Sequence, residues 1–155
     1  LCDLTGLIFA VWGEMRGKRM PYYAHIRQDE NGETFYQTVA EHLTGTAALC
    51  REFAADFGAE ADGDLMGLAH DLGKCTDAFQ KRLLEGGPVV DHTTAGMLTC
   101  IRMKRPSAAA CVAGHHGGLL DVGNLRTDRA GEATLSGRSK RAWRDTILSA
   151  AAKAA

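Results

Sequence analysis

The chain has 155 residues, of which 45% are hydrophobic and 24% are charged, and its formal net charge is −1. This length and composition fit one folded domain with its own core and exclude a mainly disordered chain. The net charge excludes a general electrostatic attraction to nucleic acid, so any such contact needs a local basic patch.

The first segment, residues 1–19, contains a short apolar run at residues 7–12. The run is too short to span a bilayer, and its positive charges follow it, which does not fit a signal peptide. Because Met20 precedes the sequence PYYAH, we interpret residues 1–19 as an upstream extension or a segment left by cloning.

The first helix is predicted over residues 35–57, where apolar side chains recur every three or four positions. The members of this stripe are Phe35, Val39, Leu43, Ala47, Cys50, Ala54 and Phe57. Gly58 predicts the end of the helix. His42 lies beside the stripe, so we expect it to flank the buried face.

Further helices follow with recognisable start and stop signals. A second helix is predicted over residues 64–72, with Asp64 as N-cap and Gly73 as its stop. Thr76 predicts the cap of a short third helix, and a fourth covers residues 93–103. Pro106 begins a fifth, which runs to residue 116. A Gly-rich loop over residues 119–137 precedes a last helix from residue 138 to the end.

Strand alternation of useful length and internal repeats are both absent from this pattern. The sequence therefore predicts an all-α fold, a single helical bundle. The five cysteines are odd in number, widely spaced and free of C-x-x-C pairs, so a reducing cytoplasm is the expected compartment. Cys50, Cys100 and Cys111 lie in apolar helical contexts and are expected to be core residues.

The polar pair His70-Asp71 interrupts the apolar context of the stretch LAHDLGK. Neighbouring helical positions point about 100° apart, so the pair is better suited to a wide object than to one small ion. A two-metal cluster with ions about 3.5–4 Å apart is such an object, and a carboxylate at its centre can bridge both ions. We therefore expect Asp71 to bridge and His70 to bind one ion.

Each of the other histidines has a simpler explanation on its own. His42 fits a core or surface residue, and His92 beside Asp91 fits capping at a helix start. The His115-His116 pair fits the negative end of a helix dipole, and His25 fits a loop residue. These histidines fall on different helices or loops of one small bundle, and together they favour a shared site.

The order and wording of these motifs resemble a known family. The motifs are YYAH at 22–25, HDLGKCTDAFQKRL at 70–83, VDHTTAGM at 90–97 and AGHHGGL at 113–119. They resemble the HD superfamily of metal-dependent phosphohydrolases, and in particular the HD nuclease domain of the type I CRISPR-associated nuclease-helicase. The resemblance covers residues 20 to about 120, and residues 20–155 would form that domain.

The resemblance implies roles for individual residues. One metal ion would be held by His42, His70 and Asp71, and a second by Asp71, His92, His115 and His116. Asp71 would be catalytic. From its position one turn after the ligands, Lys74 would also be catalytic by holding a substrate phosphate, although a surface lysine near a helix end is the simpler alternative. His25 would touch substrate or support a ligand. The family also has a later aspartate, for which Asp145 is the candidate here. Because that residue usually lies further along, we expect the family's C-terminal helix or helices to lie beyond this chain.

A histidine-rich site with one carboxylate favours two divalent transition-metal ions, Mn, Fe, Co or Ni, with Mg or Zn as less favoured alternatives. The resemblance implies hydrolysis of single-stranded DNA during CRISPR interference, together with a crRNA-guided surveillance complex and no membrane. A helicase domain or subunit would be a separate partner, because these residues contain no G-x-x-x-x-G-K-[ST] loop. The basic segment 126–144 would guide the strand, with stacking on Tyr22, Tyr23 or Trp143.

Two alternatives stay open at this point. One is an HD phosphohydrolase that cleaves nucleotides or cyclic dinucleotides, for which a closed pocket would argue. The other is a non-catalytic interaction module whose first metal site is incomplete.

Overall fold

The computed structural model describes residues 21–154, with side chains described for residues 21–145. Within this range, two β-strands precede six α-helices and one short 3-10 helix. The predicted helical class is confirmed, with a small sheet added to it. No helix in the described range is both long enough and apolar enough to cross a bilayer. The interpretation of residues 1–19 concerns a segment outside the described residues.

The sheet is an antiparallel hairpin of β1 (Tyr23–Gln28) and β2 (Thr34–Thr38). The prediction that the chain lacks strands was therefore wrong. The turn contains an Asn-Gly pair, and Gly32 has a φ of +83°, a conformation in which glycine is favoured. Asn-Gly between short runs rich in Tyr, Ile and Phe is a hairpin signal, and it was available in the sequence.

The first helix, α1 (Val39–Ala55), begins four residues later than predicted because Thr38 ends the strand and caps the helix. The Thr38 hydroxyl accepts the Glu41 backbone N–H at 3.2 Å, and the Glu41 carboxylate accepts the Thr38 N–H at 2.9 Å. This reciprocal capping box satisfies two backbone donors. Phe35 and Phe57 are exposed, so the two ends of the predicted apolar stripe lie outside the core.

The second helix, α2 (Glu60–Ala69), packs closely on α1 through two glycines. A Cβ on Gly63 would lie 2.8 Å from Ala54 Cβ, and one on Gly67 would lie 2.8 Å from the Thr46 carbonyl carbon. The helix begins and ends earlier than predicted. Its N-cap is Ala59 rather than Asp64, and a 3-10 helix (Leu72–Cys75) contains the glycine that we expected to end it.

The remaining helices follow the predicted order. They are α3 (Asp77–Glu85), α4 (Thr93–Arg102), α5 (Pro106–Gly114) and α6 (Leu135–Ala154). The predicted cap Thr76 accepts the Phe79 N–H at 3.3 Å, and Pro106 occupies the first turn of α5. The last helix begins three residues earlier than expected, at Leu135.

The main core lies where α2, α4, α5 and the start of α6 meet. Its buried members are Leu65, Ala69, Met97, Cys100, Ala108, Ala109, Val112, Ala113 and Leu135. A smaller cluster of Ala24, Val39 and Leu43 joins the hairpin to α1. Cys100 is a core residue as predicted, whereas Cys50 is half-buried and Cys111 is exposed. The expectation for Cys111 was wrong because its side chain lies on the outer side of α5.

Candidate metal centre

The His70-Asp71 pair lies just after the end of α2. The helix ends at Ala69, and Asp71 leaves helical geometry with a φ of −114° before the 3-10 helix begins. Because the helix breaks here, the two neighbouring side chains converge, and His70 Nε2 lies 3.1 Å from Asp71 Oδ2. The divergence of about 100° expected for adjacent helical positions does not apply at this break.

One carboxylate oxygen of Asp71, Oδ2, is approached from several elements. His42 Nε2, from α1, lies 2.9 Å away, and Lys74 Nζ donates to it at 2.9 Å. His25, from β1, lies on the same side, with its Nε2 3.3 Å from Lys74 Nζ. Ligand atoms of His25, His42 and Asp71 all lie within 4.8 Å of one another.

The other carboxylate oxygen, Oδ1, faces the histidines of α4 and α5. His92 Nε2 lies 3.4 Å from it and His115 Nε2 lies 3.5 Å from it. His116 joins this side through its Nε2, which lies 2.8 Å from His92 Nε2. Ligand atoms of Asp71, His92, His115 and His116 all lie within 4.8 Å of one another.

Backbone carbonyls determine which ring nitrogen carries the proton in three of these histidines. The Nδ1–H of His70 donates to Gly67 O at 2.8 Å, that of His92 to Val90 O at 3.2 Å, and that of His115 to Val112 O at 2.8 Å. In its neutral form, each of these rings therefore directs an unprotonated Nε2 at Asp71. Histidine ligands of metals in proteins typically carry a hydrogen bond of this kind.

This donor set fits a divalent cation. Asp71 is 3% exposed, and its Oδ1 is buried without any hydrogen-bond partner. Lone pairs on nitrogen and a carboxylate oxygen repel at these separations unless a positive charge lies among them. Imidazole nitrogens and carboxylate oxygens are ordinary ligands of transition-metal ions, and one ion would satisfy Oδ1 and several rings at once.

The local electrostatics keep the ligand forms of these groups. Burial alone would raise the pKa of Asp71, but the hydrogen bond and positive charge of Lys74, together with the neighbouring His70, outweigh burial and hold that pKa well below its usual range. Burial lowers the pKa of His42, against the opposing effect of Asp71. Burial and the positive charge of Lys74 lower the pKa of His25. An ionised carboxylate and neutral imidazoles are the forms that bind a metal.

Lys74 is buried, so the simpler expectation of a surface lysine was wrong. Its Nζ donates to Ala24 O at 3.2 Å as well as to Asp71. Gln80 on α3 fixes this region, because its amide nitrogen donates to Lys74 O and Tyr23 O while its oxygen accepts the Tyr23 N–H. Gln80 was missed in the sequence, where it reads as one polar residue of a short amphipathic helix.

Arg138 joins the two helices that carry the Oδ1 histidines. Its guanidinium donates to Ala113 O at 2.8 Å, near the end of α5, and to the hydroxyls of Thr93 and Thr94 at 2.7 and 3.0 Å, at the start of α4. Asp91 caps α4 by accepting the N–H groups of both threonines. Sequence reasoning placed Arg138 in a basic surface segment and missed this internal position.

Two glycines let the ligand-bearing elements approach. Gly73 donates its N–H to His92 O at 3.1 Å, and a Cβ there would lie 2.7 Å from the His92 carbonyl carbon. A Cβ on Gly96 would overlap Ala69 O and lie 3.0 Å from Val112 Cγ1. Side chains at these positions would separate α4 from Asp71.

Other residues singled out in the sequence lie apart from these contacts. Asp145 is exposed and pairs with Arg144, and it belongs to neither group of ligand atoms found among the described residues. In the basic segment, Lys140 donates to Asp128 O at 2.6 Å, so not all the cations of this segment are available to a DNA strand. Trp143 lies under the Arg102 guanidinium.

Comparison with known proteins gives a family match. The model of the HD domain family matches residues 39–142, about two thirds of the chain. The matched range contains every histidine described above except His25. A search of curated proteins finds no match.

Proposed function

The chain belongs to the HD domain family, and on this premise we propose that it is a metal-dependent nuclease that hydrolyses phosphodiester bonds of single-stranded DNA. The family indicates a metal-dependent hydrolase. The narrower proposal, a role in type I CRISPR interference with a helicase and a crRNA-guided surveillance complex, is supported by the wording of the motifs HDLGK, DHTTAG and GHHGGL.

One observation carries the catalytic part of the proposal. The buried Oδ1 of Asp71 has no hydrogen-bond partner, while the Nε2 atoms of His92 and His115, which are unprotonated in the neutral rings, face it at 3.4 and 3.5 Å. A folded protein rarely leaves a buried carboxylate oxygen among lone pairs unless a ligand completes the site.

The two sides of Asp71 are unequal. Lys74 already supplies a positive charge to Oδ2, whereas Oδ1 has none. We therefore expect the first divalent ion to be held by Asp71, His92, His115 and His116. His42 and His70, with Oδ2, would hold a second. Bound divalent ions act as Lewis acids on phosphoryl oxygens and lower the pKa of water.

The chain's own residues set the conditions for that chemistry. Lys74 keeps Asp71 ionised, and the three carbonyl acceptors keep the rings of His70, His92 and His115 in the ligand tautomer. The burial and hydrogen bonds of Lys74 favour this positioning role over direct contact with a phosphate.

The exposed rim of the site supports a polymeric substrate. His25, His115 and His116 are exposed, so the site opens to the protein surface rather than to an internal pocket. A long strand can reach such a site, whereas enclosure is the usual environment of a small-molecule substrate. The nucleotide phosphohydrolase alternative therefore has less support.

The test uses the chain stripped of metal with EDTA and reloaded with MnCl2 or NiCl2. A closed circular single-stranded DNA should be cut, whereas mononucleotides and cyclic dinucleotides should survive. Asp71→Asn should abolish cutting, and Asp145→Asn, which alters an exposed carboxylate, should leave it unchanged. Hydrolysis of the nucleotides alone would establish the small-molecule alternative, and no hydrolysis at saturating metal would establish the non-catalytic one.

The partner proposals need a separate measurement. We expect a crRNA-targeted duplex to be degraded only when a surveillance complex and a helicase are added with the chain. Degradation that is independent of both additions would contradict this role.

A further inference from the structure

The hairpin exposes aromatic rings beside the candidate metal centre. Phe35 is 41% exposed and Tyr36 is 52% exposed. The Tyr36 ring packs on Tyr23, with the two ring centroids 4.9 Å apart. Side chains at consecutive strand positions point to opposite faces, so the Phe35 ring shares its face with Arg27, whereas the Tyr36 ring lies on the other face with Tyr23. An exposed ring that borders a functional centre is of the kind that marks a binding site.

A groove lies along one side of this hairpin, which we call the His25 face. It has a volume of about 250 Å³ and is lined by His25, Arg27, Phe35, Tyr36 and Gln37. His25 connects the groove to the candidate metal centre, because its Nε2 lies 3.3 Å from Lys74 Nζ and within ligand range of Asp71. A chain-like ligand in the groove would therefore continue directly to that centre.

The charges along the hairpin are separated. Arg27 lies between His25 and the turn, and its guanidinium carbon lies 5.2 Å from the centroid of the Phe35 ring. The acidic residues Asp29, Glu30 and Glu33 lie at the opposite end, in and beside the turn. A polyanion is thus attracted to Arg27 and repelled at the turn.

From these contacts we infer that the His25 face binds single-stranded DNA and directs it to the candidate metal centre. A base stacks on the exposed ring of Phe35, and a phosphate pairs with Arg27. In one direction the DNA strand passes His25 toward the candidate metal centre, and in the other direction it leaves the hairpin before the acidic turn. This inference rests on the proposed function, since it names the path by which that substrate reaches the same site.

Binding is measured directly, without hydrolysis, by fluorescence anisotropy of a fluorescein-labelled oligothymidylate of about 16 nucleotides in EDTA. Phe35→Ala should weaken binding by roughly 5- to 150-fold, the usual loss for one stacked base. Arg27→Gln should weaken binding and also reduce the slope of log affinity against log salt by about 0.7, the value for one phosphate contact to a single strand.

Phe53→Ala is the matched control, because Phe53 is an exposed aromatic residue on α1. It should bind the oligonucleotide like the unmodified chain. Thermal unfolding of all variants would show that the hairpin changes leave the fold intact. Phe35→Ala with unaltered affinity, or an unmodified chain that does not bind the oligonucleotide, would overturn the inference and leave the rings to a protein partner.

The two proposals fail in different ways. If the hairpin variants lose binding but the chain with Mn or Ni hydrolyses no DNA, the groove stands and the proposed function fails. If DNA is cut and Phe35→Ala binds and cuts normally, the proposed function stands and the groove fails.

Discussion

Replacing Gly96 by alanine tests how closely α2 and α4 must approach for the candidate metal centre to form. An added Cβ would overlap Ala69 O, the carbonyl directly before His70, and would lie 2.7 Å from the Ala69 carbonyl carbon. The obstacle is backbone rather than a flexible side chain, so relief requires α4 to move. Because His92 is the N-cap residue of α4, its Nε2 would move away from Asp71.

The expected size of the effect follows from this overlap. Overpacking of a well-packed core costs about 1–3 kcal/mol. In a chain of this length, each kcal/mol lowers Tm by roughly 2–4 °C, so Gly96→Ala should lower Tm by about 2–12 °C. The affinity for Mn should fall as well, because one ligand is displaced.

Gly45→Ala is the matched control, since Gly45 lies inside α1 and an added Cβ meets nothing within 4 Å. Alanine is the better helix former by about 0.5–1 kcal/mol, so this variant should be more stable than the unmodified chain. The assays are thermal unfolding by circular dichroism and Mn titration by calorimetry. If Gly96→Ala matched Gly45→Ala in both, the close approach of α2 and α4 would not be what assembles the site.

Four further outcomes are expected. Lys74→Met should lower the free energy of unfolding in urea by about 3–5 kcal/mol, because it leaves Asp71 buried without its cation; unchanged stability would instead favour a role confined to substrate. Arg138→Gln should weaken Mn binding in calorimetry by about 10- to 100-fold, and undiminished affinity would contradict its positioning role. Adding MnCl2 at about 100 times its Kd should stabilise the EDTA-treated chain by about 2.7 kcal/mol, and Asp71→Asn should abolish that gain. Iodoacetamide should modify Cys111 but not Cys100, whose burial raises its thiol pKa to about 12, as site-resolved mass spectrometry would show.

Local signals were enough to predict most of the helices. Thr76 and Pro106 mark the starts of α3 and α5, and both act as such signals usually do. The apolar spacing over α1 also predicted its buried positions Leu43 and Ala47. These features depend on residues within one or two turns of each other, so a single sequence contains them.

The hairpin was harder to predict than the helices, because many of the hydrogen bonds that stabilise it come from residues distant in sequence. Gln80 bonds to both backbone groups of Tyr23, and the Val39 N–H donates to Tyr22 O. The same separation in sequence explains the error over Lys74, since Ala24 in the hairpin supplies the carbonyl that accepts a hydrogen bond from its ammonium group. The Asn-Gly turn was the local signal that could have indicated the strands.

The histidines of the candidate centre were predictable as a set, but their arrangement was not. Their types and order along the chain suggested a common site, whereas the convergence of His70 and Asp71 depends on where α2 ends. Arg138 was read as part of a basic face because sequence shows its charge but not the Thr93 hydroxyl and Ala113 carbonyl that it binds. These two hydrogen bonds join residues that are separated by 25 and 45 positions in the sequence.

The spread of the ligands along the chain has a consequence during synthesis. The Oδ1 group spans Asp71 to His116, so a ribosome must release more than forty residues after the carboxylate before the last imidazole can join it. A nascent chain therefore cannot assemble this ligand set before α5 has been made and has docked. Metal binding by the Oδ1 group would then stabilise the assembled fold rather than guide its first steps.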